Sequence, residues 1–212
     1  MMKIDFAHSH FTHSPAKSPA AAAIAVTEPE ALAAILRPEV QLAFWTREPA
    51  SAPVLDPGAI DWSAIDDIAQ TIDPALAPVE ALLADAGFPA GPAVRALGRE
   101  IAGLASLLAR IARCDEVRLR LEVIESDACR KFHMDWVDMR LLATFYGPGT
   151  QWIEVNAERN GGADAPVHQL RCGEVAIFKG RLAVQEPQIL HRSPPITGTG
   201  VTRLLLAIDP AG

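Results

Sequence analysis

The chain is poor in cysteine, tyrosine and long apolar runs, and each shortage removes a class of protein. Cysteine occurs three times in 212 residues, at 114, 129 and 172, and tyrosine once, at 146. An odd cysteine count with no short paired spacing excludes a dense disulfide framework and favours a reducing compartment. No Cys-x-x-Cys occurs, which rules out a zinc ribbon. No apolar run reaches the roughly 18–20 residues that a helix needs to span a bilayer. The segment Ala20–Val26 is alanine-rich and follows a stretch with three histidines, so it reads as a tail rather than a secretory core. A cytoplasmic protein is the expectation. Positive charge is also short: 19 Lys and Arg face 26 Asp and Glu, for a net charge of −7. That balance supports solubility and argues against nucleic-acid or membrane-surface partners. Nucleophile elbows of the Gly-x-Ser-x-Gly type and dinucleotide-binding Gly-x-Gly-x-x-Gly turns are missing too. Gly147-Pro-Gly149-Thr150 is no phosphate loop, since no Lys-Ser/Thr follows it.

Half of the residues are hydrophobic and 21% are charged, the balance of a globular protein. Residues 1–27 have no periodicity and read as a loosely attached tail, in which His8, His10 and His13 form a small His-rich tract. Residues 28–113 read mainly as helices. Thr27 with Glu30 has the spacing of a capping box, and Pro38 ends that helix. Val40–Thr46 reads as a strand. Asp73-Pro74 suits a helix start, and Gly87 a helix end. Val94–Arg113 is the longest helix, with Leu97, Ile101, Leu104, Leu108 and Ile111 on one stripe. Gly98 and Gly103 weaken that helix or let it pack closely.

From residue 114 to 212 the pattern changes. Val117, Leu119, Leu121 and Val123 alternate with charged residues, as in a half-buried strand. Short apolar runs follow, Arg140–Tyr146, Gly173–Gly180 and Val201–Ile208, broken by turns at Gly147-Pro-Gly149 and Asn160-Gly-Gly162. The fold expected is α+β: a helical N-terminal half packed on a C-terminal β sandwich or barrel, with residues 28–212 as one unit.

The chemistry concentrates in that second half. His133 and Asp135 stand one residue apart in Cys129-Arg-Lys-Phe-His-Met-Asp135, and His191 follows 56 positions later. Fewer than one such His-x-acid pair is expected by chance in this composition, so the pair alone says little. Its place beside strand-like runs says more. Two imidazoles and a carboxylate can occupy one face of an octahedral iron(II), leaving the other positions for cosubstrate and oxygen. Against this stands a surface pair at a strand end. Cys129 would suit zinc better than iron, or is simply a small buried residue. Arg203 is equally explained by an ion pair or an edge position. Arg192 is a rival anion binder, and Tyr146 either contacts a cosubstrate carboxylate or packs in the barrel. Trp136 could line a substrate pocket. A strand from Cys129 to His133 would hold the two roughly 13 Å apart, so the thiol is expected outside the metal's ligands.

Residues 117–208 resemble the double-stranded β-helix, a jelly-roll or cupin-like fold, of iron(II)/2-oxoglutarate dioxygenases of the prolyl-hydroxylase-like branch. The likeness rests on His133-x-Asp135, the Arg140–Tyr146 strand, the Gly173–Phe178 strand, His191, and Arg203 twelve positions beyond it. It implies iron(II) held by His133, Asp135 and His191, with 2-oxoglutarate anchored by Arg203, where a planar guanidinium meets a carboxylate with two hydrogen bonds. It places Tyr146 and Arg192 among the cofactor-binding candidates. The strings Cys-x-x-Phe-His-x-Asp, Arg-Leu-Leu-x-Thr, Gly-Pro-Gly-Thr and His-Arg-Ser-Pro are also similar to those of an uncharacterised bacterial family, whose members tend to be encoded near zinc-responsive genes. The two likenesses imply different functions. One is a dioxygenase hydroxylating a small molecule or a protein. The other is a non-catalytic zinc-binding or metal-homeostasis protein on the same scaffold. Neither identifies the substrate or the oligomeric state.

Overall fold

The computed structural model describes residues 21–48, 51–53, 55–127, 129–155 and 165–211. The His8, His10 and His13 tract and the Asn160-Gly-Gly162 turn lie outside these. Ten strands form among the described residues: β1 (Ala23–Val26), β2 (Leu42–Trp45), β3 (Ile68–Ile72), β4 (Glu116–Ile124), β5 (Met139–Tyr146), β6 (Gln151–Glu154), β7 (His168–Gln169), β8 (Val175–Lys179), β9 (Ile189–Arg192) and β10 (Arg203–Ala211). Seven make one sheet in the order β1-β2-β8-β5-β10-β4-β3, and β7-β6-β9 make a second. The protein is therefore mixed α+β, with a large sheet and few helices.

The period-two alternation of the strands decides which face each residue joins. On β8, Val175 and Ile177 join the larger core, while Ala176 and Phe178 join a smaller one. On β5, Leu141 and Ala143 go one way and Leu142 the other. The larger core holds the helices. The smaller holds Trp152 and Ile189 of the second sheet. The seven-stranded sheet is thus covered by helices on one face and by the small sheet on the other. Each Leu, Ile or Val buried between these layers contributes about 1.5–3 kcal/mol.

The helix layer is thinner than the sequence suggests. Two α-helices form among the described residues, α1 (Val79–Asp85) and α2 (Pro92–Ala112). All five residues of the expected α2 stripe are buried. Pro92 sits in its first turn, and Arg113 closes it in the left-handed conformation, φ 57°, donating its N–H to Ala109. At Gly98 a Cβ would lie 2.8 Å from Glu80, so its bareness lets α1 approach. The other helical expectations need correction. Pro29–Leu36 is a 3-10 helix whose cap is Glu28, with no side-chain hydrogen bond, so the Thr27–Glu30 capping box does not form. Asp73 closes a turn by accepting from the Ala75 N–H, and α1 begins only at Val79. Strands β1 and β3 come from segments read as tail or helix, whereas β2 falls within Val40–Thr46, which was read as a strand. Ala23–Val26, expected within a loose tail, pairs in parallel with Leu42–Trp45. Propensity lost here to the unpaired sheet edges, which drew short apolar segments into the ladder. No helix among the described residues is long and apolar enough to cross a membrane.

Candidate metal centre

His133 and His191 are each other's cross-strand neighbours. The N–H of each donates to the carbonyl of the other, at 2.9 Å both ways, an isolated antiparallel bridge at the end of β9. Opposed residues in such a pair send their side chains to the same face. The rings accordingly meet at 4.7 Å between centroids, and Phe178 packs on His191 at 4.6 Å. The sequence placed His191 before a strand; it lies inside one. Buried Gln41 holds the approach to β9, its Oε1 accepting from the Gln188 N–H at 2.8 Å while its Nε2 donates to the Glu186 carbonyl.

Asp135 reaches the same point from the loop after His133. Its carbonyl accepts from the Arg181 N–H, and the Val137 carbonyl accepts from Leu182, so the loop lies flat on the turn after β8. The contact requires glycine at 180, where a Cβ would stand 2.0 Å from the Val137 oxygen. Gly180→Ala is expected to push the loop away, costing about 1–3 kcal/mol by overpacking and loosening the Asp135 position. Denaturation midpoint and metal affinity should fall together. Unchanged values for both would remove this role from Gly180.

The three side chains each offer one ligand atom, all within 4.8 Å of one another. His133 Nε2 is 3.6 Å from Asp135 Oδ1, and His191 Nε2 is 3.1 Å from Asp135 Oδ2. His133 Nδ1 lies 2.9 Å from the Lys131 carbonyl. A carbonyl only accepts, so Nδ1 carries the proton and Nε2 presents its lone pair. The facing Asp135 carboxylate favours the protonated ring and raises the His133 imidazole above its ordinary value, against the effect of burial. Burial pushes His191 below its ordinary value, keeping it neutral, with Asp135 opposing. Burial works against the Asp135 charge as well, yet the facing rings of His133 and His191 and the Arg140 cation hold its carboxyl well below the usual range. Asp135 Oδ2 is buried with no well-aligned hydrogen bond, although the His191 nitrogen is close. A ring nitrogen and a carboxylate oxygen at this distance suit two ligands of one ion: at about 2.1 Å from a common metal and at right angles, donors stand about 3.0 Å apart. The donor set fits a divalent cation.

The triad opens on a cavity of about 320 Å³, also lined by Arg140, Leu142, Ser193 and Leu205. A larger hollow of about 570 Å³ lies elsewhere, between Trp45 and the Arg99–Arg110 stretch of α2, and touches none of the three. Arg203 is fully buried behind Ser193. Its Nε donates to the Pro148 carbonyl at 2.7 Å, and its other nitrogens approach Ser193 Oγ and Thr144 Oγ1. Burial lowers its pKa to about 10, so it remains charged at neutral pH. No acidic residue among the described residues makes an ion pair with it.

Of three other candidates, Arg192 borders the cavity while Tyr146 and Trp136 lie apart from it. Tyr146 faces the helix layer, stacked on Trp62 at 4.9 Å, so its packing alternative holds. Arg192 alternates away from His191: its guanidinium covers Phe132 at 4.2 Å and its Nε donates to Gln151. Trp136 is largely exposed and does not line the cavity. Cys129 is exposed at the cavity edge and outside the ligand cluster. Sequence reasoning missed Gln41, Gly180 and the pair Arg140–Asp209. The two opposite charges on otherwise apolar strands are visible in the sequence, but their pairing is not, since it depends on the β5–β10 register.

Two imidazoles and one carboxylate gathered at one cavity form a site with the donor set to hold a divalent metal ion. The chain belongs to the family described as Protein of unknown function (DUF1826), whose model matches residues 26–209. No curated protein matches the sequence. Solved structures to which the chain is similar include a 2OG-Fe(II) oxygenase family oxidoreductase from Burkholderia pseudomallei, at 13% identity, TM-score 0.43, covering 86% of this chain and 90% of that one. AtDAO1, the dioxygenase for auxin oxidation 1 from Arabidopsis thaliana, is similar at 13% identity and TM-score 0.42, over 79% and 70% of the two chains. A Pseudomonas putida prolyl-4-hydroxylase is similar at 15% identity and TM-score 0.40, over 71% of each.

Proposed function

We propose that this chain is an iron(II)- and 2-oxoglutarate-dependent oxygenase built on a jelly-roll scaffold. His133, Asp135 and His191 would hold the metal, and Arg203 would anchor the distal carboxylate of the cosubstrate. The observation that carries the reading is the co-occurrence of two features: a three-donor cluster opening on a cavity, and a buried arginine behind Ser193 of that cavity's lining, with no acidic partner among the described residues. A buried cation without a counter-ion is costly, and a ligand carboxylate is the partner that would offset the cost. When bound, the metal supplies oxygen activation. The chain's part is positional. Phe178 and the His133–His191 bridge fix the rings, Leu142 and Leu205 keep the floor apolar, and Ser193 and Thr144 orient the Arg203 fork.

The test is direct. Protein reconstituted with iron(II), given 2-oxoglutarate and then air, should form succinate even without its substrate, and zinc in place of iron should abolish it. Tight zinc binding with no succinate in any reconstitution would instead support a metal-handling protein.

A further inference from the structure

We infer that Arg140, braced by Asp209, decides which oxygen of Asp135 is offered to the metal. The inference rests on the metal reading above and concerns residues that reading leaves unused. Arg140 lies on β5, and Asp209 lies beside it on β10, one residue beyond the Leu141–Ile208 pair. Arg140 Nε donates to Asp209 Oδ1 at 2.6 Å and Nη2 to Oδ2 at 2.7 Å, a bidentate fork. Its remaining nitrogen, Nη1, donates to Asp135 Oδ1 at 2.7 Å. All three nitrogens are therefore committed. Asp209 is buried, so water does not compete for the fork. Burial works against the Arg140 charge, but Asp209 and Asp135 more than offset it and raise its pKa.

Two consequences follow for Asp135. Its Oδ1 is occupied by a charged hydrogen bond, and its Oδ2 is left bare, facing His191 Nε2 at 3.1 Å. A carboxylate with both oxygens free can chelate one ion, whereas this one coordinates through Oδ2 alone. Single-oxygen coordination leaves one more position on the metal for other ligands. Asp209 has an electrostatic task as well. It cancels the Arg140 charge, so a cation entering the site meets the Asp135 carboxylate without a net positive neighbour. Arg140 and Asp209 are positioning residues: one orients the ligand, the other orients and neutralises the first.

The experiment is titration of the full chain with cobalt(II), read as dissociation constant and as the carboxylate bands of the infrared difference spectrum. The asymmetric and symmetric stretches lie farther apart when one oxygen coordinates than when both do. Wild type should bind one ion with widely split bands. Arg140→Ala should weaken binding about 10–100-fold, the usual effect of losing an outer partner, and narrow the splitting. Arg140→Lys should recover part of the affinity, since an ammonium can still reach Oδ1. Asp209→Asn keeps the shape of the pair and carries the test should Arg140→Ala not fold; it too should weaken binding. Wild-type affinity and splitting in both Asp209→Asn and the folded arginine variants would overturn the inference while leaving the metal site standing. Failure of wild type to bind any ion would overturn the metal reading itself, and this inference with it.

Discussion

His191→Ala is expected to abolish stoichiometric iron binding. The side chain supplies one of three donors, and removing a donor costs more than the about 10–100-fold lost with an outer partner. His191 is nearly fully buried, packed against His133 and Phe178, and no other side chain of the described cluster can take its place as a donor. Its backbone still pairs with His133, because both hydrogen bonds of the bridge are main-chain. The fold should therefore survive, and the loss should appear as metal content falling towards zero with an unchanged circular dichroism spectrum. Cys129→Ser is the matched control. Its exposed thiol lies outside the ligand cluster, so that variant should keep its metal. The reverse outcome, metal lost with Cys129 and kept without His191, would indicate a thiolate zinc site.

Arg203→Lys carries the second large effect. The variant keeps a buried charge behind Ser193 but loses the fork that donates to Pro148 and approaches Ser193 and Thr144. A lost hydrogen bond to a charged partner costs about 1.5–3 kcal/mol, so 2-oxoglutarate should bind about 10–150-fold more weakly. Iron affinity should be unchanged, because Arg203 makes no bond to the triad. Arg203→Ala should show the larger loss of affinity and also a lower unfolding midpoint, since the Pro148 carbonyl is left without its donor. Equal 2-oxoglutarate affinity in wild type and both variants would remove Arg203 from cosubstrate recognition.

How much of this was legible in the sequence varies by residue. The α2 stripe and the alternation of β4 were clear because local periodicity and tertiary burial agree there. The three triad residues could be picked by type and spacing, and the structure brings them together. What the sequence hides is the means. The His133–His191 bridge joins positions far apart in the chain, and no local pattern announces a two-residue pairing. Strands β1, β3, β6 and β9 were missed because they are short, and their stability comes from neighbours in the sheet rather than from propensity. Thr27–Glu30 shows the opposite failure, a good local signal overruled when the chain was drawn into β1. Arg192 sits one step out of phase with His191, and in a strand one step is the opposite face. Tyr146 is turned from the face of Leu142 and Thr144 by the irregularity in the β5–β10 register. The Arg140–Asp209 pair is invisible to motif reasoning because its logic is cross-strand register, which only the β5–β10 pairing supplies.

The most direct measurement is the crystal structure of the iron-loaded protein with anomalous data at the iron edge. A single peak is predicted, bound by His133 Nε2, Asp135 Oδ2 and His191 Nε2 at about 2.0–2.2 Å. A peak that leaves either histidine more than about 4 Å from the ion, or that takes Cys129 as a ligand, would contradict the assignment of the site.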